Sequence, residues 1–127
     1  MELFTKFCMV AIGGASGAMT RYGLNLLFAK VFSPFPSATF FINVTGSFLI
    51  GLLLTIFSEE YEVNENIRLA LIVGFLGAYT TFSTFEFETF SLISSKNLAT
   101  AVIYVSLSFA LGLIGVIGGV WVGKRFQ

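Results

Sequence analysis

The sequence predicts an all-α membrane protein of four transmembrane helices, the third broken near its middle. Three observations carry that reading. Of the 127 residues, 56% are hydrophobic and 11% charged, with a mean hydropathy of +0.90. An average soluble domain has about 25% charged residues, so this is membrane composition. Second, four segments each reach the roughly 20 apolar residues that a spanning helix needs. They run from about Phe4 to Lys30, Ala38 to Phe57, Ile67 to Ser94 and Leu98 to Gly123. Third, the stretch from Gly74 to Phe90 crowds Thr80, Thr81, Ser83 and Thr84 together just after Gly74 and Gly77. Hydroxylated, β-branched residues beside glycine weaken a helix and offer its backbone other partners. Inside a membrane such a break is tolerated only where it is buried in protein or lines a wet cavity. Packing of a Phe-rich span would not call for so dense a hydroxyl cluster, so the break reads as the functional centre. Phe82 and Phe85 are spaced to share one face beside it.

Composition also excludes. The formal net charge is zero and no basic run occurs, which argues against nucleic acid as a partner. There is no His, and Cys8 is the single Cys, so an intrachain disulfide is impossible and a Cys/His metal site is not expected. The amino-terminal apolar stretch continues through Gly13-Gly-Ala-Ser-Gly17 to Arg21, unlike a cleavable signal peptide. The connections are a Ser-Pro-Phe-Pro turn (Ser33 to Pro36), an acidic loop (Glu59, Glu60, Glu62, Glu65) and a Ser-Ser-Lys-Asn link before Leu98. Such short loops predict that consecutive helices are antiparallel neighbours within one four-helix domain, residues 1–127.

The first helix carries Gly13, Gly17, Arg21 and Asn25 at four-residue spacing, hence on one stripe. The glycine pair lets a second backbone approach closely. Arg21 costs several kcal/mol inside a span unless it snorkels or finds partners. It therefore either anchors at the headgroups or sets a positive potential at a wet vestibule. The second helix steps through Thr39, Asn43, Ser47, Gly51 and Thr55, a narrow polar stripe on a fatty helix. The Asn43 amide must be satisfied, either by a bond between helices or by facing a permeating ion. The fourth helix repeats the device with Thr100, Tyr104, Ser108 and Gly112, then presents Gly115, Gly119 and Gly123 as a packing face. Lys124 and Arg125 mark the membrane edge. One side of the membrane receives Lys6, Arg68, Lys124 and Arg125, and the other Lys30 and Lys96. That bias is weak under the positive-inside rule, so the chain could insert both ways.

The polar groups at depth are mostly donors: the Asn43 amide, Tyr104, Ser108 and the threonine cluster. A cation path would want rings of carboxylates or carbonyls, whereas a donor-lined path suits a small anion. Phenylalanine adds an electropositive ring edge. Glu86 and Glu88 would repel an anion in its path and are expected toward the helix end, near water.

The chain resembles the Fluc/CrcB fluoride channels. The matching residues are Gly13-Gly-x-x-Gly-Ala-x-x-Arg-Tyr22, Asn43 with Gly46, Gly74-Phe-x-Gly-x-x-Thr-Thr-Phe-Ser-Thr-Phe85 followed by Glu88, and Tyr104 with Ser108. The resemblance covers all four helices. It implies an ion channel and not an enzyme, in the bacterial cytoplasmic (inner) membrane, giving passive export of toxic fluoride. It further implies an antiparallel, dual-topology homodimer with two fluoride pathways. The implied pathway residues are Asn43, Phe82, Phe85, Thr81, Ser83, Thr84, Tyr104, Ser108, Arg21 and Glu88. A structural Na+ is implied at the centre, held by the backbone carbonyls of Gly77 and Thr80. The sequence departs from the family pattern at Gly112, where another hydroxyl is usual, and at Glu86, where a small hydroxyl residue is usual. A small multidrug-resistance-type proton-coupled transporter is the alternative of similar size, but it needs a carboxylate within the first helix. This helix has Arg21 there and no Glu beyond Glu2.

Overall fold

The structure, a computed structural model, describes residues 1–30, 34–58 and 64–126. The start of the expected Ser-Pro-Phe-Pro turn (Ser33) and Glu59, Glu60 and Glu62 of the acidic loop lie outside the described residues. The described residues are helical, with no strand among them. Helix α1 runs Glu2–Phe28 and α2 runs Ser37–Ile56, opening directly after Pro36. The third apolar span, Glu65–Ser94, is assembled from pieces. Helix α3 is Glu65–Arg68, and a π-helical segment follows over Leu69–Leu76. Helix α4 is the short Gly77–Tyr79, and α5 is Phe82–Ser94. Helix α6 runs Leu98–Gly123 and ends in a 3-10 turn, Lys124–Phe126. Four spans are thus long and apolar enough to cross a bilayer, at nearly the boundaries expected, and the chain is a multi-pass membrane protein.

Helix pairing differs from expectation. The closest partners are not consecutive: α1 packs on the third span and α2 packs on α6, while α1–α2 and α5–α6 touch sparingly. The reason is the placement of glycine. Lipid is as apolar as a leucine side chain, so helices associate where backbones can come close enough for dense van der Waals contact. A Cβ at Gly13 would run into the Ala70 carbonyl, and one at Gly119 into the Phe48 carbonyl. These glycines seat α1 against the third span and α6 against α2. Loop length decides only that consecutive helices run in opposite directions.

Ends are tied by local chemistry. Lys6 reaches Glu65 at 2.8 Å and Glu2 at 3.2 Å, fastening the start of α1 to the start of the third span on one side of the membrane. Asn64 caps α3 by accepting from the Asn66 amide at 2.9 Å. The α5–α6 corner is a Schellman turn, with the Asn97 amide donating to the Leu92 carbonyl (2.9 Å) and the Lys96 amide to the Ile93 carbonyl (3.0 Å). It places Lys96 at φ 62°, a left-handed conformation that glycine would hold at less cost.

Two small apolar clusters are buried. One joins Ile42 to Leu76 and Tyr79; the other joins Phe85 and Leu92 to Ala101 and Tyr104. They lie on either side of Thr80 and Thr81 in the chain.

Candidate functional site

At Thr80 the backbone leaves the helix. Thr80 (φ −78°, ψ 156°) and Thr81 (φ −150°, ψ 115°) are extended between α4 and α5. Each amide and carbonyl at this point needs a partner that a helix would otherwise supply. Asn43 on α2 supplies two. Its side-chain oxygen accepts from the Thr81 amide at 2.8 Å, and its Nδ2 donates to the Thr81 carbonyl at 2.9 Å. Thr81 also caps α5, its hydroxyl oxygen accepting from the Thr84 amide at 3.3 Å and its proton going to the Thr84 hydroxyl at 2.9 Å.

These bonds have a consequence for carbonyls. In an unbroken α-helix the Thr81 amide would serve the Gly77 carbonyl, and the Thr84 amide the Thr80 carbonyl. Both amides are diverted, to Asn43 and to the Thr81 hydroxyl. Gly77 and Thr80 therefore lose their α-helical donors, while Leu76 receives both the amide (3.0 Å) and the hydroxyl (2.9 Å) of Thr80.

A groove of about 590 Å³ runs past the two threonines between α2, the third span and α6. Its lining includes Asn43, Gly77, Thr80, Thr81, Phe82, Phe85, Ser108 and Gly112. Among the described residues no carboxylate lines it. The Ser108 hydroxyl is buried and has no partner among the described residues. Asn43 has a second amide N–H beyond the one given to Thr81. The rings of Phe82 and Phe85 lie 5.9 Å apart. Phe85 is 7% exposed and packs on Tyr104 (5.0 Å) and Phe109 (6.1 Å), whereas Phe82 is 64% exposed. A second cavity of about 240 Å³ lies on the other side of Thr81 and is lined by Arg21, Tyr22, Asn25, Thr39 and Thr84. Arg21 is half-buried and forms no ion pair among the described residues.

Glu88 departs from expectation. It does not stand free near water but is half-buried between three helices. Thr39 donates to its Oε1 at 2.8 Å, and the Tyr104 hydroxyl donates to its Oε2 at 2.7 Å. Tyr104 is fully buried, so its proton is committed to this bond. Glu86 is exposed.

The structure brings together Asn43, Thr81, Phe82, Phe85 and Ser108 on the groove, and Arg21, Thr81 and Thr84 on the second cavity, with Thr81 common to both. Tyr104 and Glu88 join through their hydrogen bond. Ser83 is exposed and lines neither space. Sequence reading placed Thr39 on the polar stripe of the second helix but gave it no partner; the structure pairs it with Glu88. It passed over Phe109, for which a phenylalanine in an apolar helix gives no signal.

A family model described as CrcB-like protein, Camphor Resistance (CrcB), matches residues 8–120. Similar curated proteins carry the name fluoride-specific ion channel FluC. One from Acidobacterium capsulatum is 46% identical over 94% of this chain and 97% of its own length. One from Chloroflexus aurantiacus is 48% identical over 92% of this chain and 94% of its own. One from Hydrogenovibrio crunogenus is 41% identical over 99% of this chain and 98% of its own. Matches of that extent, running through all four spans and the Thr80–Thr81 site, make the chain a member of the CrcB family.

Proposed function

We propose that this chain is a fluoride-selective channel that lets fluoride leave the cytoplasm passively. One observation carries the reading: the groove past Thr80–Thr81 offers an anion the Asn43 amide, the Ser108 hydroxyl and the rings of Phe82 and Phe85, and among the described residues Ser108 has no partner and no carboxylate stands on the wall. These donors and ring edges suit a small anion. Fluoride is small and holds its water tightly, so the wall must replace part of that shell without holding the ion. A few hydroxyl and amide donors with weak aromatic edges between them meet that need. The Glu88 carboxylate is compensated by two donors, which limits its repulsion. Arg21, on the second cavity, raises the local concentration of anions. A proton-coupled multidrug transporter would need a carboxylate within the first helix, which this chain does not have beyond Glu2.

The working unit in this reading is an antiparallel homodimer in the inner membrane of a bacterium, with two pathways. The groove opens toward the outside of a single chain, where lipid would offer no partner to the second Asn43 amide N–H or to the Gly77 and Thr80 carbonyls. A second copy laid across it closes the path, and the weak charge bias permits both insertions. A structural Na+ belongs to the same proposal. The Gly77 and Thr80 carbonyls that lose their helical donors are oxygen ligands of the kind a hard cation takes, and when bound it would satisfy them. The test of function is growth in fluoride-containing medium of a bacterium stripped of its own fluoride export and supplied with this chain. Restored growth with low internal fluoride supports the reading; growth no better than the empty vector contradicts it.

A further inference from the structure

The two extended residues are held from α2, and one of the holding contacts is Tyr79, the last residue before the break. Its ring is 5% exposed, stacked on Phe75 at 5.6 Å and packed with Ile42 and Leu76. Its hydroxyl lies 2.8 Å from the Thr45 hydroxyl. Thr45 spends its own proton on the Phe41 carbonyl at 2.7 Å, so Tyr79 is the donor. One turn of α2 therefore holds three successive residues of the third span. Thr45 holds the Tyr79 side chain, Gly46 leaves room for the Thr80 methyl, and Asn43 closes on the Thr81 backbone.

Tyr79 needs such a pin because its own helix is weak. Helix α4 has three residues, with a π-helical segment before it and extended backbone after it. A single turn does not sustain itself, and π-helical hydrogen bonding adds little support. We propose that the Tyr79–Thr45 hydrogen bond fixes where the third span leaves the helix, and so fixes the height of Thr80–Thr81 along the groove. Tyr79 is then a positioning residue for the pathway, acting through the break without touching the ion. The link to conduction rests on the fluoride-channel reading above; the placement of the break does not.

Tyr79→Phe is the clean variant. It removes one hydroxyl and leaves Thr45 satisfied by the Phe41 carbonyl. Thr45→Ser keeps the acceptor, and Thr45→Val leaves the Tyr79 hydroxyl without one. Amide hydrogen exchange is measured on the peptide covering residues 77–84, and unitary fluoride current is recorded for the same proteins in planar bilayers. Exchange in that peptide should be about fivefold faster in Tyr79→Phe, at least as fast in Thr45→Val, and at the parent rate in Thr45→Ser. Unitary current should fall severalfold in the first two and recover in Thr45→Ser. A purely structural role would reduce the number of active channels while leaving the current through each unchanged, and that result overturns the proposal. Parent-like exchange in Tyr79→Phe overturns it equally. A parent protein that carries no fluoride refutes the channel reading instead, and exchange still decides whether Tyr79 places the break.

Discussion

Replacing Asn43 with alanine removes both bonds that close the Thr81 backbone, the 2.8 Å acceptance from its amide and the 2.9 Å donation to its carbonyl. Two bonds at the ~0.6 kcal/mol averaged between transmembrane helices set a floor of about 1 kcal/mol. The ceiling is higher, because a buried backbone group left without a partner costs about 1–3 kcal/mol. Thr81 is 8% exposed, so little water reaches its two backbone groups, and the loss lies above the floor. The expected loss is about 2–4 kcal/mol. It should come with reduced fluoride flux, because the same residue gives the groove its remaining amide N–H. The assay pairs denaturant unfolding in detergent micelles, followed by circular dichroism, with fluoride release from liposomes. An alanine variant that unfolds at the parent midpoint and conducts at the parent rate would refute the geometry argued for Asn43. Parent stability with lost flux would instead mean that Asn43 serves only the ion.

Other substitutions separate packing from pathway. Phe82→Ile should leave stability nearly unchanged, because the ring is largely exposed in the single chain, yet cut flux strongly; Phe85→Ile should cut flux and also cost about 1–3 kcal/mol through its contacts with Tyr104 and Phe109. Parent-like flux in both would make these rings plain core. Gly13→Ala should sharply lower the yield of folded protein, since its methyl meets the Ala70 carbonyl, while Gly23→Ala, in open space, should be neutral or gain up to about 1 kcal/mol; size-exclusion profiles in detergent compare them. Lys96→Gly should raise the thermal midpoint by relieving the left-handed strain, worth about 1 kcal/mol, with no effect on flux.

Much of this was legible because the bilayer imposes simple rules. Spans announce themselves by length and apolarity, and the hydroxyl cluster at Thr80–Thr84 stands out because hydrocarbon penalises it. What could not be read was which residue answers which. Asn43 lies 38 positions from Thr81 and Thr39 lies 49 from Glu88, and no local pattern encodes such pairings. Helix pairing escaped for a related reason. The Gly13–Gly17 stripe signals close approach but names no partner, and loop length pointed to the wrong one. The π-helical turns before Gly77 carry no sequence signature that would separate them from an α-helix.

Topology and the cation are each open to direct tests. A single Cys introduced into the acidic loop, with Cys8 replaced, should be labelled from both sides of the membrane; exclusive labelling from one side would contradict dual insertion. Exhaustive removal of Na+ and its close substitutes should abolish activity, and full activity without them would contradict the role given to the Gly77 and Thr80 carbonyls.

The central claim is that fluoride itself moves passively along the groove past Thr80–Thr81. It is tested most directly by one fluoride-electrode trace from purified protein in liposomes loaded with fluoride and chloride. Fluoride should leave down its own gradient when a potassium ionophore carries the compensating charge, with chloride retained and with no need for a proton gradient. Retention of fluoride, or release only when protons are supplied in exchange, would contradict the account.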